Sequence, residues 1–97
     1  MKSTQEILSI LQSAMPELAR DFGVTRLAVF GSYARGEQRD GSDVDVLVEV
    51  PPSLGMKFVD LAERIEALIG IRSEVVSRRA ITPRHWAVIE KELLDVA

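Results

Sequence analysis

The sequence predicts an α/β (α+β) domain in which helices pack on a small mixed central sheet, in the order α-β-α-β-α-β-α. Three observations carry this. Apolar residues recur at helical spacing in the leading, middle and closing segments. Three short, largely β-branched segments lie between them. Glycine and proline stand at the joins. With 97 residues, 46% of them hydrophobic and 28% charged, the chain reads as one domain over residues 1–97 with a core of modest size.

Ser3 and Glu6 form a capping box, so the first helix starts there. Ile7, Leu11, Ala14, Met15 and Leu18 continue it at helical spacing. Pro16 should kink or split it, and Gly23 should stop it. Residues 25–30 read as a strand ending at Gly31-Ser32, followed by a short helix over residues 32–37 and a turn at Arg39-Asp40-Gly41-Ser42. Residues 43–50 form the clearest strand, ended by Pro51-Pro52. Phe58, Leu61, Ala62, Ile65, Leu68 and Ile69 make an apolar helical stripe closed by Gly70. Residues 71–77 make a third strand. Thr82-Pro83 then opens a last helix whose face carries Trp86, Ile89, Leu93 and Val96.

Composition excludes several functions. There is no cysteine, hence no disulfide, thiolate metal site or cysteine nucleophile, which fits a reducing cytoplasm. The polar N-terminus lacks the apolar stretch of a signal peptide, and no apolar run has the length of a membrane span. The expectation is a cytoplasmic protein without membrane contact. A net charge of −3 and a pI near 5.1 argue against a grip on nucleic acid. Nine of the twelve basic residues are arginine, and they are scattered along the chain as surface ion-pairing residues usually are.

The second strand carries the chemistry. Side chains alternate along a strand, so Val44, Val46, Val48 and Val50 share one face and Asp43, Asp45, Leu47 and Glu49 the other. Aspartate disfavours strands, and two close carboxylates repel unless something positive lies between them. A hard divalent cation answers both problems, since Mg²⁺ takes carboxylate and phosphate oxygens together. Taken alone, an Asp-x-Asp of this kind is more often two solvated turn residues. Gly31-Ser32 adds the second half: a glycine that admits a phosphate to the backbone, a hydroxyl, and a helix start with free N–H groups. Alone, that pair is an ordinary helix cap. Together, the two features supply donors for departing phosphates and metal for the attacked one. Glu74, the only acid of the third strand, either completes the site as a third carboxylate or pairs with Arg72 or Arg78 on the surface.

At this point the residues resemble a family. Phe30-Gly31-Ser32-Tyr33-Ala34-Arg35-Gly36-Glu37, followed by Gly41-Ser42-Asp43-Val44-Asp45-Val46-Leu47-Val48, is similar to the signature of the DNA polymerase beta-like nucleotidyltransferase superfamily. Within it the chain resembles the minimal nucleotidyltransferases (MNT) that act as antitoxins beside helical HEPN toxins. Gly-Ser, ten residues, then Asp-x-Asp is the family pattern, and the leading helix, third strand and final helix also fall where the family has them.

The resemblance implies that Asp43 and Asp45 bind metal, two Mg²⁺ ions in all, and that Gly31 and Ser32 hold the triphosphate of ATP. By position alone, Arg35 near that cradle is a phosphate contact or a surface ion-pair partner. Glu74 stands where the family usually has an aspartate, as third metal ligand and catalytic carboxylate. The implied reaction moves AMP from ATP to a hydroxyl, a tyrosine of a HEPN partner, in a hetero-oligomer and without nucleic acid. The competing reading is an antitoxin that neutralises its partner by docking alone, favoured by the Glu74 exchange. An enzyme acting on nucleic acid or a small molecule is disfavoured by the acidic pI. Among lesser candidates, Arg39 lies near the cradle as a phosphate contact or a surface ion-pair partner. Tyr33 either stacks on a base or packs on the sheet, His85 reads as solvated, and Trp86 as core.

Overall fold

The computed structural model describes residues 2–96. Helix α1 spans Thr4–Phe22, with Ser3 as its N-cap, the reciprocal Ser3–Glu6 capping box in place and Gly23 closing it in a left-handed conformation. Pro16 neither splits nor ends α1. Pro16 and Gln12 both face water. The carbonyl that loses its N–H partner is therefore solvated, while Ile7, Leu11, Ala14 and Leu18 stay buried along one continuous stripe.

Strands β1 (Arg26–Phe30) and β2 (Val44–Glu49) pair antiparallel, with Val29 opposite Val46 and Phe30 opposite Asp45. Between them lies α2 (Ser32–Arg35), a single turn shorter than the sequence implied. Gly36, in left-handed conformation, stops it by donating to the Ser32 and Tyr33 carbonyls. Helix α3 (Lys57–Ile69) carries the chain back so that β3 (Ser73–Ser77) runs parallel to β2, with Glu74 level with Asp45. The sheet is therefore mixed, as expected.

The first face of the sheet is the core. Val44, Val46 and Val48 are fully buried there with Leu27 and Val29, under the buried stripes of α1 and of α3 (Leu61, Ile65, Ile69). Tyr33 joins this cluster and is 2% exposed, so it packs and is closed to a nucleobase.

The C-terminal segment departs from expectation. Thr82 caps α4 (Pro83–Ile89) as its sequence implied, but α4 stops before Leu93. A 3-10 turn over Glu90–Glu92 follows, and Leu94–Asp95 then forms a fourth strand, β4, antiparallel to β1. The sheet order is β3-β2-β1-β4. Leu93 and Val96 therefore do not lie on a helix face. Val96 is buried in the core beside the sheet, and its N–H donates to the Leu27 carbonyl at 2.9 Å. Local pattern favoured a helix, but β1 offered an open edge, and pairing satisfied its backbone groups. Trp86 is half-buried and not core; the Arg78 guanidinium lies 3.8 Å from its ring centre and that of Arg26 6.0 Å. No helix among the described residues is long and apolar enough to cross a membrane.

Candidate active site

The second face of the sheet holds the chemistry. Register puts Phe30, Asp45 and Glu74 side by side at one end of it and Arg26 and Glu49 at the other. The 3-10 turn Arg78–Ala80 packs on β2, and Leu47 and Ala28 are fully buried between these two ends. The Asp45 end is left open as a polar cleft of about 590 Å³.

Five residues singled out from sequence line this cleft: Gly31, Ser32, Arg35, Asp43 and Asp45. Gly31 caps α2 with φ 76° and ψ −154°, a conformation that a residue with a side chain rarely adopts. A Cβ at Gly31 would also overlap the Asp45 carboxylate. The absent side chain therefore lets the catalytic-type carboxylate sit against the Gly-Ser turn, a use of glycine not foreseen from sequence. Ser32 is the first residue inside α2 and caps nothing; no side chain caps this helix, so its hydroxyl is not committed to that role.

Asp43 and Asp45 are half-buried and, among the described residues, neither makes an ion pair. Burial, then the charges of Glu74, Asp43 and Glu92, push the Asp45 carboxyl above its ordinary value, against a smaller opposing pull from Arg35. This is a site with surplus negative charge. Among the described residues no three acid or histidine side chains approach closely enough to form a ready-made metal cage. The donor set nonetheless fits Mg²⁺, which commonly takes one or two carboxylates and completes its shell with water and substrate phosphate.

Glu74 is exposed, level with Asp45, and outside the residues that line the cleft. Among the described residues it is in no ion pair with Arg72 or Arg78 either. Arg39 and His85 are exposed and away from the cleft lining. Two cleft residues went unrecognised. Arg72 lines it from just before β3. Glu92 reaches it from the C-terminal 3-10 turn, accepting from the Gly31 N–H at 2.5 Å and from Arg35 Nη1 at 2.9 Å. No local signal in the sequence marks Glu92: the two-residue strand after it exists only through its pairing with β1.

A single-turn helix after Gly-Ser, followed by an Asp-x-Asp strand whose acids face a polar cleft, is an arrangement suited to handling a nucleotide. The profile of the nucleotidyltransferase domain matches residues 11–95, and the chain belongs to that family of nucleotidyl-transferring enzymes. It is 46% identical to the protein adenylyltransferase MntA of Thermococcus cleftensis, over 99% of this chain and 98% of the relative. A solved structure assigned to the minimal nucleotidyltransferases superposes with a TM-score of 0.77 at 32% identity, over 96% of this chain and 95% of that one. The fold also matches one chain of a solved complex of a tri-AMPylated HEPN toxin with MNT antitoxin from Shewanella oneidensis, with a TM-score of 0.61 at 14% identity, over 93% of this chain and 71% of that one.

Proposed function

We propose that this enzyme transfers AMP from ATP to a tyrosine hydroxyl of a HEPN toxin and thereby acts as its antitoxin. The observation that carries the reading is the convergence of Gly31, Ser32, Asp43 and Asp45 on one open polar cleft. The near full-length likeness to a protein adenylyltransferase supports a protein acceptor, and the toxin–antitoxin neighbour supports a HEPN partner.

In this reading Ser32 and the backbone at the start of α2 hold the outer phosphates of ATP. Asp43 and Asp45 hold Mg²⁺, which when bound supplies positive charge to the phosphate oxygens. The acceptor oxygen attacks the α-phosphorus, the bond to the bridging oxygen breaks, and pyrophosphate departs. Glu74, beside Asp45 and open to solvent, takes the acceptor proton. The openness of the cleft suits an acceptor delivered by another macromolecule.

The test is to incubate the chain with α-labelled ATP, Mg²⁺ and the protein encoded beside it, and to follow label on that protein. Transfer to a tyrosine, lost in Asp43→Asn/Asp45→Asn, is the expected result. A stable complex without label sinks the enzymatic reading. One observation favours the second reading, neutralisation by docking: Glu74 lies outside the cleft lining.

A further inference from the structure

Two donors beside the proposed triphosphate cradle, the Gly31 N–H and the Arg35 guanidinium, are already engaged. The Gly31 N–H has one proton to give, and Glu92 takes it. Arg35 gives Nη1 to Glu92 and Nε to Glu37, both at 2.9 Å. The Glu92 side chain is only 18% exposed, against 45% for Arg35, so this carboxylate is lodged in the cleft and not swinging over it. Its position is built. Beyond it, β4 is zipped to β1 through Val29–Leu94 and Ala28–Asp95, Arg26 clamps Asp95, and Val96 is anchored in the core.

We propose that Glu92 is an internal stand-in for a phosphate. In the nucleotide-free chain its carboxylate occupies the Gly31 N–H and the Arg35 guanidinium, and a polyphosphate must displace it to use them. The C-terminal segment thus acts as an autoinhibitory strap whose release is coupled to nucleotide entry. A single carboxylate oxygen, Oε2, takes both contacts as one phosphate oxygen would, and an N–H already given to one acceptor is closed to another. The proposal rests on the nucleotide-binding reading of the cleft given above.

The test is equilibrium binding of Mg·ATP and of inorganic triphosphate, by calorimetry, to the native chain, Glu92→Gln and Glu92→Ala. Glutamine keeps the size and can still accept from Gly31, so the fold is retained; alanine removes the acceptor altogether. The strap predicts that both variants bind both probes tighter, by roughly tenfold, the effect of relieving one unfavourable charge contact near a surface. Unchanged or weaker binding overturns it, and would make Glu92 a scaffold that shapes the cradle. If neither the native chain nor the variants bind nucleotide at millimolar concentration, the nucleotide-binding reading falls as well. The two failures are thereby told apart.

Discussion

Two aspartates sit on the same face of this sheet and are held in opposite ways. At one end, Arg26 donates through Nε to Asp95 at 2.9 Å and through Nη1 to Glu49 at 3.2 Å. The Arg26 bond holds the Asp95 carboxyl below its ordinary value. At the other end, Asp45 has Glu74, Asp43 and Glu92 around it and is pushed above its ordinary value. The first end is a closed ion-pair network with Trp86 beside it. At the second, among the described residues, neither Asp43 nor Asp45 has an ion-pair partner. What separates structure from function on this face is the charge balance around an acid, since both ends are acidic.

The contrast is broken most severely at the open end. Asp43→Asn with Asp45→Asn should reduce AMP transfer on the order of a thousandfold or more, because several kcal/mol of transition-state charge stabilisation go with the metal. Label transfer in the assay above checks this, and circular dichroism should show an unchanged fold. Next comes Gly31→Ala, which forces a side chain into a strained backbone and against Asp45. A loss of about 1–3 kcal/mol in urea unfolding is expected. Part of it should return when Asp45→Ala is added, a non-additivity that a double-mutant cycle reads directly.

A gentler change sharpens the comparison. Ionised Asp45 opposes folding, because its folded-state proton affinity is raised. Below the ordinary aspartate range both states are protonated and nothing is lost. As pH rises through that range to the raised value, the native chain loses stability that an asparagine would not lose. Asp45→Asn without metal should therefore melt a few degrees higher than the native chain at pH 7, with no gap in strong acid. Saturating Mg²⁺ with ATP should close or reverse the gap. At the balanced end the smallest effect is expected. Arg26→Met should cost about 1 kcal/mol or less, since its partners are well exposed to water, and the loss should shrink in high salt.

The core face of β2 and the Asp-x-Asp on its other face were both readable, because strand alternation alone assigns them. The capping box of α1 and its glycine stop were readable for the same reason: they are local. Of the two outcomes expected of Pro16, the split does not occur, because the cost of a missing hydrogen bond depends on whether the freed carbonyl meets water, which sequence does not state. The strand at Leu94–Asp95 was missed because two residues carry no period, and the edge of β1 that recruits them lies more than sixty positions away in the chain. Glu92 went with it. The cleft was legible where its residues are neighbours in sequence, and illegible where topology imports them.

The contact between Gly31 and Asp45 also has a history to it. Losing Asp45 alone leaves a chain that still folds and could survive as a docking protein. Once Asp45 has shrunk, a side chain at Gly31 meets one obstacle fewer and costs only the backbone strain. From there, restoring the aspartate alone returns no activity, because its place is filled. The descent from enzyme to inert binder takes single steps, whereas the way back demands two at once, so the geometry of one glycine works as a ratchet on the lineage.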